Sequence, residues 1–204
     1  MQPTTPIVRR VPLERRQEPP LALSKPGGHG SARSASSPIV PGESALAEAE
    51  GCFSAGDNEG TIRRIGMLPE PSGMRALLLL AHAQANLGHT EDATATCLRL
   101  SDRYPFAAEP YELLASLAQE QGRYDEAKLL LKQALYLAPG SPTPYLELAH
   151  LYDRAGDRER GRRMWATALE LLTQMSTEAT VGFLGGPTAQ EWRRHLELRL
   201  IEGG

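Results

Sequence analysis

The chain has 204 residues, of which 41% are hydrophobic and 23% charged, with a formal net charge of −3. That is the balance of an ordinary globular protein, long enough for one domain and an appendage, and its charge gives no basis for nucleic acid as a partner. Two cysteines, Cys52 and Cys97, make no disulfide framework, and no Cys/His cluster has metal-ligand spacing. No metal or other cofactor is therefore expected, and a reducing compartment is the simpler setting.

Residues 1–43 hold eight of the sixteen prolines and none of the eleven Phe, Tyr and Trp residues. They include GGHGSARSASS, a linker composition that cannot bury enough apolar area to offset chain entropy. Their side chains sum to +3, which leaves −6 for the remainder. A disordered basic arm before an acidic body is predicted. The opening twenty residues lack the apolar run of about 7–15 residues found in signal peptides. No segment reaches the ~20 apolar residues of a membrane span. A cytoplasmic location is expected.

The body reads as helix pairs at a period of about 34 residues. Residues 42–73 form a degenerate unit, with Ala45, Ala49, Cys52, Gly56 and Ile65 at the key places, about two residues short of that period. This unit is predicted as an N-terminal capping pair. Residues 74–107 form the first clear unit, with Leu77, Leu80 and Ala81 before Gly88, then Ala93, Cys97 and Pro105.

The second unit, residues 108–141, is the clearest. Tyr111, Leu114, Ala115 and Ala118 share one face of a helix, and Tyr124, Ala127, Leu131, Ala134 and Leu135 share a face of a second helix after Gly122. Pro139 stops that helix. The third unit, residues 142–175, repeats the pattern with Tyr145, Leu148, Ala149 and Tyr152 before Gly156, and Trp165, Ala168 and Leu169 after it. Arg158 stands there where an aromatic is usual and Gly161 where alanine is usual, which predicts a looser second helix. In residues 176–204, MSTEATVGFLGGP interrupts the helix pattern and Thr188–Glu191 has the form of a capping box. A last helix, with Trp192, Leu196, Leu198 and Leu200 among its apolar residues, is expected to cover the third unit.

These aromatic, Leu, Ala, Gly and Pro positions resemble the tetratricopeptide repeat. That resemblance implies an all-α, right-handed solenoid of antiparallel helix pairs with a C-terminal capping helix. RALLLLAHAQANLGHTEDA, AAEPYELLASLAQEQGRYDEAKLLLKQALYLAPGS and LAHLYDRAGDRERGRRMWATALELL resemble, more narrowly, the tetratricopeptide segment of CheR-type chemoreceptor methyltransferases. The methyltransferase domain is not part of the resemblance. Residues 1–43 are too short and too proline-rich to supply it, and GGHG there neither follows a strand pattern nor opens a helix.

In the resembling family the first helices line a concave groove. The period places Arg75, Leu78, His82 and Asn86 on it from the first clear unit. Glu109, Glu112, Ser116, Gln119 and Glu120 follow from the second, and Thr143, Leu146, His150, Asp153 and Arg154 from the third. His82 and His150 lie two repeats apart with no third ligand evident, so groove polarity is the better reading than a metal pair. Cys97 takes the packing position of Leu131 and Trp165. The glutamates read as a solvated or binding face rather than an acid–base pair.

The surface is mixed with an acidic centre, which suits a protein or peptide with basic residues and an apolar anchor. The expected role is therefore non-catalytic: a protein–protein interaction module. The narrower resemblance implies an adaptor or regulator in a bacterial chemosensory pathway that docks chemoreceptor or methyltransferase. A regulatory fragment of a CheR-type methyltransferase and a scaffold of an envelope or secretion assembly are the alternatives.

Overall fold

The computed structural model describes residues 41–68, 73–183 and 185–202; the arm, residues 1–40, lies outside them. Among the described residues the chain forms nine helices: α1 (Pro41–Ser54), α2 (Asn58–Gly66), α3 (Met74–Asn86), α4 (Thr90–Arg103), α5 (Glu109–Glu120), α6 (Tyr124–Leu137), α7 (Thr143–Arg154), α8 (Arg158–Gln174) and α9 (Ala189–Glu202). Helix α1 starts inside the stretch assigned to the arm. Its first residue, Pro41, needs no N–H partner in a first turn, so proline does not oppose the helix there.

Each pair turns on a glycine. At Gly122 φ is +73°, a left-handed conformation that costs other residues about 1–2 kcal/mol. Its N–H donates to the Gln119 carbonyl at 2.9 Å, and the Arg123 N–H donates to the Ala118 carbonyl at 2.8 Å. These two bonds satisfy carbonyls that the ending helix leaves free, the closure of a Schellman motif. The same two bonds recur at Gly56, Gly88 and Gly156. Positions 88, 122 and 156 keep the 34-residue period, and position 56 falls two residues short of it.

Each helix packs on the next in sequence, while α1 also meets α3 and α3 meets α5. The first helices of successive pairs therefore form one face of the stack. Close approach depends on small residues: Ala81, Ala93, Ala115, Ala127, Ala134, Ala149 and Ala168 are all fully buried. Between them Leu79, Leu100, Leu117, Leu131, Leu148 and Leu172 fill the core. Removing one such leucine side chain costs about 2–5 kcal/mol.

Departures from the repeat pattern acquire reasons in three dimensions. Gln84, where a smaller residue is usual, accepts a 2.8 Å hydrogen bond from the buried Thr96 hydroxyl of α4. Gly161 does not interrupt α8, which is the longest described helix at 17 residues. Instead its missing Cβ leaves room for the Asp153 carboxylate. Asp153 Oδ2 accepts from the Trp165 indole N–H at 2.8 Å and pairs with Arg199 of α9 at 2.6 Å.

The predicted capping box is present. The Thr188 N–H donates to Glu191 Oε2 at 2.7 Å, and the Glu191 N–H donates to Thr188 Oγ1 at 3.3 Å. Helix α9 covers α8 through Ala189, Leu196, Trp192 and Leu200. Leu198 does not join them and is 57% exposed. Two residues along a helix is a rotation of about 200°, which carries Leu198 away from the face of Leu196.

Candidate interaction groove

All fourteen predicted groove residues lie on α3, α5 and α7. The structure gathers Arg75, His82, Glu109, Glu112, Ser116 and Thr143 around one cavity of about 630 Å³. Ser116, Gln119, Glu120, Thr143, Leu146 and His150 line an adjoining one of about 550 Å³. The other four point to different work. Leu78 is buried beside Leu77 and Leu100, and Asn86 donates to Asn58 Oδ1 of α2 at 3.1 Å. Asp153 is engaged with Trp165 and Arg199. The Arg154 guanidinium lies 4.5 Å from the centre of the Tyr124 ring on α6.

Inside the first cavity the chemistry is acidic. Burial, and then the negative neighbours Glu147 and Glu109, push the Glu112 carboxyl up to about 7, while a hydrogen bond with Ser141 opposes the shift. Glu147 is also raised, mainly by burial, although Gln119 Nε2 donates to its Oε2 at 2.7 Å. Arg75 does not neutralise this pair, since its guanidinium is turned to Glu50 of α1.

Glu147 was missed as a groove residue, yet the period carried a signal. It stands 34 residues after Leu113 and 68 after Leu79, both buried. A carboxylate at a position that the preceding repeats fill with leucine is forced into a poorly solvated place.

The groove is also occupied by the chain itself. After α8, the described part of the connection to α9 meets the face of the first helices through Val181 and Phe183. Val181 is buried against Leu146, Leu196 and their neighbours. Phe183 reaches the other end, packing against the cluster of Leu77, Leu78 and Leu100 on one side and that of Ala49, Ile65, Ala76 and Leu79 on the other. Its ring stacks on the His82 imidazole, with centroids 4.1 Å apart and planes at 4°, and meets Phe53 edge-on at 6.1 Å. Burial in these surroundings pulls the His82 pKa down to about 4, so the ring is neutral near pH 7.

His150, at the equivalent place two repeats on, meets the Trp165 ring edge-on at 4.5 Å. Cys97 is fully buried among Ala81, Ala93, Leu113 and Leu117. Its thiol is pushed up to about 12 by burial, which makes it an inert packing residue. None of the described helices is long and apolar enough to cross a membrane.

The tetratricopeptide repeat family model matches residues 118–179. Over 80 residues the chain is 35% identical to the probable biofilm formation methyltransferase WspC of Pseudomonas putida, a match covering 39% of this chain and 19% of that protein. The chain thus corresponds to about a fifth of that relative's length. Among solved structures it is similar to TTC0263, a thermophilic tetratricopeptide protein of Thermus thermophilus, with a TM-score of 0.60 at 19% identity over 79% of this chain and 84% of that one. The type III secretion translocator chaperone SycD of Yersinia enterocolitica gives 0.53 at 18% identity, over 71% and 91% of the two chains. PcrH, solved in complex with the chaperone binding region of PopD, gives 0.54 at 16%, over 67% and 96%. At these identities the structural likeness concerns the fold. Residues 118–179 carry the tetratricopeptide repeat, and the described helices form a solenoid of the tetratricopeptide type.

Proposed function

We infer that this protein is a non-catalytic interaction module that receives an extended protein segment along the face of α3, α5 and α7. The supporting observation is the seating of Val181 and Phe183 on that face, which is a surface that accepts apolar anchors from a non-helical segment. Beside those anchors the poorly solvated Glu112 and Glu147 favour a cationic side chain, which would restore their charge balance. The partner is a protein segment pairing an apolar anchor with basic residues.

The likeness to WspC over 80 residues supports a narrower role, as an adaptor or regulator in a bacterial chemosensory pathway that docks chemoreceptor or methyltransferase. It equally favours a second reading, in which the chain is a regulatory segment for a CheR-type methyltransferase. Calorimetric titration of the purified protein against the host's CheR-type methyltransferase and against the cytoplasmic part of its chemoreceptors tests both readings. Saturable binding to the receptor that Glu112→Lys abolishes supports the adaptor. Binding to the methyltransferase with a change in its receptor-methylation rate supports the regulatory segment. Absence of binding to either would remove the chemosensory assignment and leave the interaction module.

A further inference from the structure

The segment lying in the groove is attached differently from the helices around it. Between Ala179 and Ala189 it folds back on itself, with the Val181 N–H donating to the Pro187 carbonyl at 3.1 Å and the Ala189 N–H to the Ala179 carbonyl at 2.8 Å. Among the described residues, no backbone–backbone hydrogen bond joins residues 176–188 to α1–α7. Val181 and a half-buried Phe183 pack on the groove through their side chains, while Gly182 and Gly185–Pro187 are exposed. A connection between α8 and α9 has no topological need to reach α1 and α3 in order to cap the last repeat.

We propose that the segment carrying Val181 and Phe183 forms a displaceable strap that occupies the groove in cis, with Phe183 as its anchor, and that a partner binds by placing an aromatic residue of its own in the Phe183 position against His82, Phe53 and Leu78. This rests on the groove being the binding face. The ligand is a segment with a small β-branched residue two positions before an aromatic one, the spacing of Val181 and Phe183. A basic residue beside them reaches Glu112 and Glu147, a contact the strap does not make. That unused acidic cavity gives a true partner its advantage over the strap. A strap seated about nine-tenths of the time weakens every groove ligand about tenfold, because affinity scales with the fraction of open protein.

The strap can be loosened from outside the groove. Gly186 has φ of +128°, and a Cβ there would lie 2.5 Å from the Val181 carbonyl oxygen. Gly186→Val therefore breaks the fold-back without altering any residue of α1–α7.

The probe is a fluorescein-labelled peptide with the sequence of residues 177–187, followed by anisotropy against the full chain, Phe183→Ala and Gly186→Val. Both variants should bind it up to about tenfold more tightly than the unaltered chain, and a peptide with alanine in place of phenylalanine should not bind. Equal affinity for all three chains, or binding that ignores the phenylalanine, would overturn the proposal. Loss of cooperative thermal unfolding in both variants would overturn it too, because the segment would then be part of the solenoid core. The probe contains no chemosensory component, so its outcome is independent of the receptor and methyltransferase titrations.

Discussion

The Asp153 carboxylate occupies the space in which any other residue at position 161 would place its Cβ. The pair joins the end of α7 to the start of α8, and through Trp165 and Arg199 it ties both to α9. A buried indole N–H and a cation are thereby satisfied by one carboxylate, an arrangement that the usual alanine at position 161 would obstruct.

A double-mutant cycle measures this coupling. In an Asp153→Ala background, Gly161→Ala should stabilise by about 1 kcal/mol, the ordinary helix-propensity gain. In the native chain the same change should destabilise by about 1 kcal/mol, because the displaced carboxylate loses hydrogen bonds that outweigh propensity. Urea unfolding of the four proteins reads the difference. Equal effects in both backgrounds would refute the role given to the pair.

Ala127 is fully buried between α5 and α6, and its neighbours include Ala115, Ala118, Leu131 and Leu148. Ala127→Arg drives a charge into that contact, with an expected loss of about 3–5 kcal/mol. The repeats bury their apolar faces against one another, so circular dichroism melts should fall as a single shifted transition. An unchanged melting temperature would contradict the packing described.

Glu112 sets a pH dependence of definite sign. Its folded carboxyl titrates at about 7 and its unfolded one near 4.5. Between those values the unfolded chain has released the proton and the folded chain keeps it, so stability falls as pH rises and levels off above about 7. Glu147 acts in the same direction. Glu112→Gln should therefore raise stability at pH 8 by about 1–2 kcal/mol, after allowance for its partial exposure. The advantage should vanish below pH 4.5. A variant less stable than the native chain at pH 8 would show that the carboxylate is favourably held.

Trypsin tests the division between arm and body. The composition of residues 1–43 predicts rapid cleavage at Arg9, Arg10, Arg15, Arg16 and Arg33, with Lys25 shielded by Pro26. Arg63 and Arg64, on α2, should be cut much more slowly. The surviving fragment should begin at Ser34 and keep the helical circular dichroism of the full chain. Resistance at Arg9–Arg33 would count against an open arm.

Much of the groove could be read from the period because a helix face is a local property. Once Gly88, Gly122 and Gly156 set the register, each residue of α3, α5 and α7 had an assigned side. Ten of the fourteen assigned residues do line the two cavities. Asp153 and Arg154 fell away for reasons outside their own helix: one depends on Gly161 and Arg199, the other on the Tyr124 ring. Glu147 was legible in principle, as a charge in a leucine register.

Residues 176–188 belong to another category. No periodicity runs through MSTEATVGFLGGP, and its glycines predict only that the chain bends. That Phe183 crosses the groove to stack on His82, about a hundred residues earlier, follows from the stack bringing α1, α3 and α7 to one face. The sequence by itself determined the helix pairs, their glycine turns and the small residues at their contacts, since each depends on neighbours within one repeat. Only the tertiary structure decided what fills the groove, which carboxylates lose their water and where the C-terminal segment runs. Those outcomes depend on surfaces that do not exist until the repeats have stacked.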